Sequence, residues 1–463
     1  MSIEKTPGRC ARIVESVIGL IEGGTLKTGE RLPAIRRAAE NHGVSKNTLA
    51  DAYDRLVALG YLEARRGSGY YVRPIRLKPM AARPPHVAEA LDLVSLLREQ
   101  LEQHYAVRVG DGRPPPSWME DSEVGRHLNA VGSRQGGEVS HGYGHPRGFR
   151  PLRERIALTL AERSITASPD QILLTQGANH ALDLIVRNLV APGDAVLVDS
   201  PGYYPLFGKL KLAKAEMVGI RRLADGPDLA DLAAKAATTH AKVFFTQSLA
   251  HNPTGGSLTL PIAHRMLQIA QRHGLHIVED DPFADVLPPS SPRLAALDQL
   301  ERVTYVGTFS KTLSASLRVG YIAAGQPLAD ALADLKILTI VSTSDHIERI
   351  IHNLIVSGQY RRHLQRLRAR IEESTVGALR QLDRLGVRIF GVPSGGFYLW
   401  ALLPDTVDEA DLTRRAVEHG IFMAPGAVFM PDRLAAGPAI RINVAYASDQ
   451  RFLDFLKIYL AGK

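Results

Sequence analysis

Five short apolar runs in the middle of this 463-residue chain each end on residues whose types could do chemistry. Gln171 to Thr175 is followed by Gly177-Ala178-Asn179, where a glycine lets the backbone approach a ligand and a helix opens whose amides can hold a phosphate. Ala195 to Asp199 leads into Pro201-Gly202-Tyr203-Tyr204-Pro205, which sets an aromatic ring where it can stack on a flat heterocycle. Lys242 to Thr246 precedes His251-Asn252-Pro253-Thr254-Gly255, and Leu275 to Glu279 is closed by Asp280. Arg302 to Val306 is followed by Thr308-Phe309-Ser310-Lys311, with Arg318 seven positions on. Singly, each has an ordinary reading: Asp280 as a helix cap, Arg318 in a surface ion pair, Lys311 as an exposed lysine, Tyr203 as core filling. In order, they bring a carboxylate, hydroxyls, an amine and a guanidinium to successive strand ends.

These runs alternate with helical segments from about residue 140 onward, which predicts an α/β domain with a mostly parallel sheet. Ligands of such sheets collect outside the carboxyl ends of the strands, where these residues fall. The 45% hydrophobic and 22% charged composition is that of a globular chain, and the length predicts at least two domains. Cys10 is the only cysteine, so no internal disulfide can form and the expected compartment is the cytoplasm. Met1 to Ile21 mixes charges into its apolar positions, unlike a signal peptide, and no uncharged run is apolar enough for a membrane span.

The constellation resembles fold-type I pyridoxal-phosphate enzymes of the aspartate aminotransferase superfamily, from about residue 107 to the end. The resemblance implies pyridoxal 5'-phosphate as the cofactor, with no metal, and gives each residue a task. The Lys311 amine would condense with the cofactor aldehyde, and Asp280 would keep the pyridine nitrogen protonated. Asn252 would donate to the ring's phenolic oxygen and Tyr203 would stack on the ring. The amides of Gly177 and Ala178, with Thr308, Ser310 and Arg318, would hold the phosphate. Ala439-Ile440-Arg441-Ile442-Asn443 resembles the segment whose arginine grips an α-carboxylate, which makes Arg441 the expected contact for an amino acid or amine effector. Tyr143, in Gly142-Tyr143-Gly144-His145-Pro146-Arg147-Gly148, matches the tyrosine that reaches the partner subunit's phosphate, and so implies a homodimer. One position departs from the pattern: Phe283 stands where most catalytic members carry a tyrosine, three residues after the aspartate. The missing hydroxyl leaves cofactor binding credible and weakens the case for efficient transamination.

Net charge is +8, and +6 of it falls in residues 1–79, where 14 Lys and Arg face 8 Asp and Glu. A basic segment on a nearly neutral body suggests a polyanion-binding module. Ile13, Val17, Leu20 and Ile21 are spaced as a helix that Gly23-Gly24 would stop; Ile35, Ala38 and Ala39 give a second helix ending near Gly43. Ser45 caps a third with apolar face Leu49, Tyr53, Leu56 and Leu59, and Tyr61 to Arg73 reads as a β-hairpin around Gly67 and Gly69. The run resembles the winged helix-turn-helix of GntR-type regulators. That resemblance implies double-stranded DNA as partner, with Ser45, Lys46, Asn47 and Thr48 at the groove and Arg36, Arg66 and Ser68 near the backbone and minor groove.

The expected organisation is therefore a winged helix-turn-helix over 1–75, a Pro-rich linker with a connecting helix over 76–106, and the aminotransferase-like domain over 107–463. This order is similar to the MocR subfamily, which implies a transcriptional regulator sensing pyridoxal phosphate or its amino-compound adduct on operators with paired half-sites. The alternative is an active aminotransferase with an appended DNA-binding module.

Overall fold

A computed structural model describes residues 9–22, 25–65, 67–73, 85–102, 105–131, 142–432 and 437–462, and divides the chain into two compact units, 1–83 and 84–463.

In the first unit, helices Arg9–Glu22, Ile35–His42 and Lys46–Ala58 precede an antiparallel hairpin of β1 (Leu62–Arg65) and β2 (Gly69–Val72). Gly43 adopts φ +60°, the left-handed conformation that ends the second helix, so that a new helix can start at Lys46. The core gathers Ile13 and Val17 with Ala38, Ala39, Leu49, Ala52, Tyr53 and Leu56. Leu59 departs from expectation: the helix ends at Ala58, so Leu59 falls past the apolar stripe and is exposed, and Ala52 takes the inward place.

The second unit is built on an eight-stranded sheet of β3 (Ile172–Thr175), β4 (Ala195–Ser200), β5 (Glu216–Leu223), β6 (Gly226–Pro227), β7 (Val243–Thr246), β8 (His276–Asp281), β9 (Val303–Thr308) and β10 (Gly320–Ala323). Its spatial order is β3-β10-β9-β8-β7-β4-β5-β6. Strands β9, β8, β7, β4 and β5 are mutually parallel, while β10 runs antiparallel to both of its neighbours. Strand residues alternate between two apolar clusters: Leu174, Phe244 and Ile277 feed one face, Leu173, Phe245 and Val278 the other. A sheet covered on both faces needs continuous apolar strands, which is why these runs were legible.

A second, antiparallel sheet follows, of β11 (Arg388–Ile389), β12 (Tyr398–Leu402), β13 (Ala424–Pro425) and β14 (Ala439–Asn443), ordered β11-β12-β14-β13. Residues 85–102 form two helices, Pro85–Leu93 and Ser95–Glu102, where one was expected. The break at Val94 sits against Gly208, where a Cβ would come within 3.2 Å of the valine methyl, and Leu93 and Leu96 are buried in this unit's core. Among the described residues no helix is long and apolar enough to cross a membrane.

Candidate functional site

Asp280 lies near the end of β8, 6% exposed. Its Oδ2 accepts from Gln247 Nε2 at 2.6 Å, while the buried Oδ1 has no partner among the described residues. Burial raises this carboxyl from 3.8 to about 7, against the opposing Gln247 bond. Gln247 was not among the expected residues. It follows β7 directly, and its Oε1 accepts the Asn252 backbone N–H at 2.8 Å, so one amide orients two site residues. Behind it, Asp199 Oδ2 accepts from Arg222 at 3.1 Å, Thr246 at 2.9 Å and the Gln247 N–H at 3.1 Å. Burial opposes ionisation of Asp199, but Arg222 and His251 hold its carboxyl below the usual range. The strand-end rule covers Gln247 and Asp199; Arg222 comes from β5, between β4 and β6, and gave no signal.

Lys311 follows β9. Its Nζ donates to the carbonyl of Gly112, and burial, then the charge of Arg441, lowers the amine to about 8. Arg441, on β14 and 2% exposed, donates through Nη1 to Asn252 Oδ1 at 2.9 Å and through Nη2 to the Gly110 carbonyl at 2.7 Å. Its guanidinium lies over the rings of Tyr398 (4.7 Å) and Phe429 (4.9 Å). The bond at Oδ1 leaves the Asn252 amide nitrogen as a donor. The irregular stretch Gly110–Arg113 thus lines the site, held also by the Tyr398 hydroxyl on the Gly112 carbonyl (2.8 Å) and by Asn443 Nδ2 on the carbonyls of Asp111 (2.9 Å) and Arg113 (2.8 Å).

The turn after β3 packs against the Arg318 side chain. Gly177 has φ +76°, and a Cβ there would stand 2.9 Å from Arg318 Nη2. Arg318 is itself left-handed at φ +52°, a strained backbone for a side-chain-bearing residue that aims its guanidinium at the turn. It donates to Gln176 O at 3.0 Å and Ser310 Oγ at 3.4 Å. Two expected donors are engaged within the chain in this structure. The Gly177 N–H turns inward to Thr175 O at 2.9 Å, because the tight turn closes on itself, leaving the first turn of helix Ala178–Leu189 as the amide source. The Thr308 hydroxyl donates to Val319 O at 3.2 Å and accepts the Ser310 N–H at 3.1 Å, so it shapes the loop.

Tyr203, Gln247 and Asp280 line one small cavity, and burial pushes the Tyr203 phenol above its usual range. Phe283 is fully buried. Tyr143 is 86% exposed, its ring presented to solvent. The donor set suits a ligand with a phosphate, a protonated ring nitrogen and a carbonyl for the lysine.

In the first unit, Ser45 Oγ accepts the Thr48 N–H at 3.1 Å and lies 2.8 Å from Thr48 Oγ1, leaving Lys46 and Asn47 exposed on the first turn. Arg36 is exposed beside Glu40 at 3.8 Å, and Ser68 bonds the Tyr71 hydroxyl at 2.6 Å in the wing. Arg66 lies outside the described residues. Replacing Ser45 by Ala should weaken this helix by about 1 kcal/mol, read as roughly fivefold faster amide exchange in residues 46–58.

Residues 10–72 match the bacterial regulatory proteins of the gntR family, and residues 106–457 match aminotransferase class I and II. The probable rhizopine catabolism regulatory protein MocR of Rhizobium meliloti is 32% identical, covering 77% of this chain and 73% of its own length. The HTH-type transcriptional regulator YdcR of Escherichia coli is 29% identical over 90% of this chain and 91% of its own. The structure of LysN, the alpha-aminoadipate aminotransferase of Thermus thermophilus complexed with N-(5'-phosphopyridoxyl)-L-leucine, has a TM-score of 0.72 at 27% identity, covering 81% of this chain and 97% of that one. The chain belongs to the MocR-like GntR-type transcriptional regulators, in which a DNA-binding helix-turn-helix domain is joined to an aminotransferase class I and II domain.

Proposed function

We propose that this regulator responds to pyridoxal 5'-phosphate, or to its adduct with an amino acid or amine, and acts as a cytoplasmic homodimer on operators with paired half-sites. In this reading residues 1–75 read DNA, 76–106 connect, and 107–463 hold the ligand. The observation that carries it is the pairing of a buried Asp280 oxygen without a partner among the described residues and a Lys311 amine lowered to about 8, with Arg318 at the turn after β3. Bound there, the cofactor would supply an aldehyde for an amine and a ring that accepts electrons. Asp280 would hold the ring proton, Asn252 would donate to the ring oxygen, Tyr203 would cover the ring, and Arg318, Ser310 and the Ala178 amide would hold the phosphate. Arg441 would take the effector's carboxylate, a planar bidentate task suited to guanidinium. Tyr143 would reach across to the second subunit. Its exposure, together with that of Leu338 (84%), Ile337 and Val341, supports an apolar face covered in a dimer.

The ligand changes DNA affinity only to the extent that it binds one conformation of the dimer more tightly than another. The test is binding of purified protein to the region upstream of its own gene at fixed salt, with and without pyridoxal phosphate. Nanomolar binding that shifts several-fold with the cofactor is expected; equal binding in both arms overturns the reading. Lys46→Ala should lower affinity for all sequences alike and reduce the log–log salt slope by about one.

The retention of Lys311, Asp280 and Arg441 favours a second reading, turnover as an aminotransferase. Steady release of a new amino acid from an amino donor and an oxo acid, at rates of order 1–10³ s⁻¹, would support it.

A further inference from the structure

The hydroxyl that Phe283 lacks is present one ring away. Phe283 packs edge-on against Phe397 (5.1 Å, 89°) and against Tyr398 (5.5 Å, 76°). Tyr398 stands on β12, 2% exposed, and its hydroxyl donates to the Gly112 carbonyl at 2.8 Å. The Lys311 amine donates to that same oxygen. Two donors from different sheets, β9's end and β12, therefore converge on one acceptor, which brings the phenol oxygen beside the reactive nitrogen. The guanidinium of Arg441 lies 4.7 Å over the Tyr398 ring and adds a further contact that holds it.

We infer that Tyr398 is the hydroxyl donor of the ligand site, replacing the one absent at Phe283: it turns its single proton from the Gly112 carbonyl to the ring oxygen when Lys311 leaves that carbonyl to join pyridoxal phosphate, and so tunes the proton affinity of the joined nitrogen. The inference rests on the cofactor reading above. The charged groups facing the pair are Arg441, Asp111 and Asp280 around Tyr398, and Arg441, Asp111, Arg113 and Asp280 around Lys311. Burial pushes the phenol up to about 12, against the pull of Arg441, so it stays a neutral donor at physiological pH. A donor to the anionic ring oxygen favours the deprotonated form of the linkage, and its removal raises the pH at which the linkage loses its proton.

The test is a pH titration of the visible absorbance of the cofactor-loaded full-length protein, from pH 5 to 10. Tyr398→Phe keeps the ring and its packing, and its absorbance midpoint should rise by about one pH unit. Phe283→Tyr, placed in the Tyr398→Phe background, should bring the midpoint back toward wild type, and should shift it less when Tyr398 is present. A role confined to pinning Gly112 would leave the midpoint where it is. A wild-type band whose midpoint is unmoved in Tyr398→Phe, or a Phe283→Tyr effect that is the same in both backgrounds, overturns this assignment alone. A wild-type protein without any visible band overturns the cofactor reading, and this assignment with it.

Discussion

Lys311→Ala should abolish the visible band of bound pyridoxal phosphate and the cofactor dependence of DNA binding, while the protein remains folded. In the proposed reading the band would require an amine at the end of β9, and Lys311 would supply it from a position near Arg441, Asp280 and the Gly112 carbonyl. Folding should survive because the buried amine is a burden on the native state. Its proton leaves near 8 in the folded chain against 10.5 when unfolded, so the unfolded chain binds more protons between those values. Stability of the cofactor-free protein accordingly rises with pH across that window, by up to ~1.4 kcal/mol per pH unit for this group. Melting midpoints measured from pH 8 to pH 10 should rise more in wild type than in Lys311→Ala, where buried Lys336, also lowered to about 8, still contributes its share. A variant that keeps the band would remove Lys311 from the site.

Asp280→Asn should separate stability from function in the opposite pH direction. Here the folded carboxyl titrates near 7 against 3.8 unfolded, so the folded chain holds the extra proton in between and stability falls as pH rises through that window. Asparagine keeps an oxygen for Gln247 and carries no charge to bury. At pH 8, cofactor-free Asp280→Asn should therefore be more stable than wild type by an amount on the order of 2–4 kcal/mol. The neighbouring Glu279, also raised to about 7 by burial, is present in both proteins, so the difference between their melting curves isolates Asp280. The same variant should lose most cofactor affinity, since an amide cannot keep a ring nitrogen protonated. Equal stability of the two proteins at pH 8 would contradict the burial argument.

The strand-end residues were legible because a parallel sheet covered on both faces turns each strand into an apolar run, and the first polar residues after it are where the site begins. Asp280, Lys311 and Asn252 follow from that rule, and Gln247 obeys it as well, one residue past Thr246. The rule says nothing about direction, so it could not tell that the Gly177 N–H and the Thr308 hydroxyl turn inward. It also misses residues that reach the site from elsewhere. Tyr398 reads as one apolar residue among Phe397, Leu399 and Trp400 in a buried strand, and only its partner Gly112 gives its hydroxyl a purpose. Gly110–Arg113 has no period at all, and its place is fixed by side chains of β12 and β14, nearly 300 residues or more away in sequence. In the first unit the helices were legible from spacing, and Leu59 was misplaced because the stripe outran the helix by one residue.

The carbonyls of Gly110 and Gly112 are already bonded to Arg441 and Lys311. In the proposed reading an incoming carboxylate would compete with the chain's own backbone, and the concentration at which the regulator responds would reflect the difference between two sets of bonds. That threshold is adjustable from a distance. Asn443 holds the Asp111 and Arg113 carbonyls, so a substitution there would change how readily the stretch yields while leaving every proposed ligand contact in place.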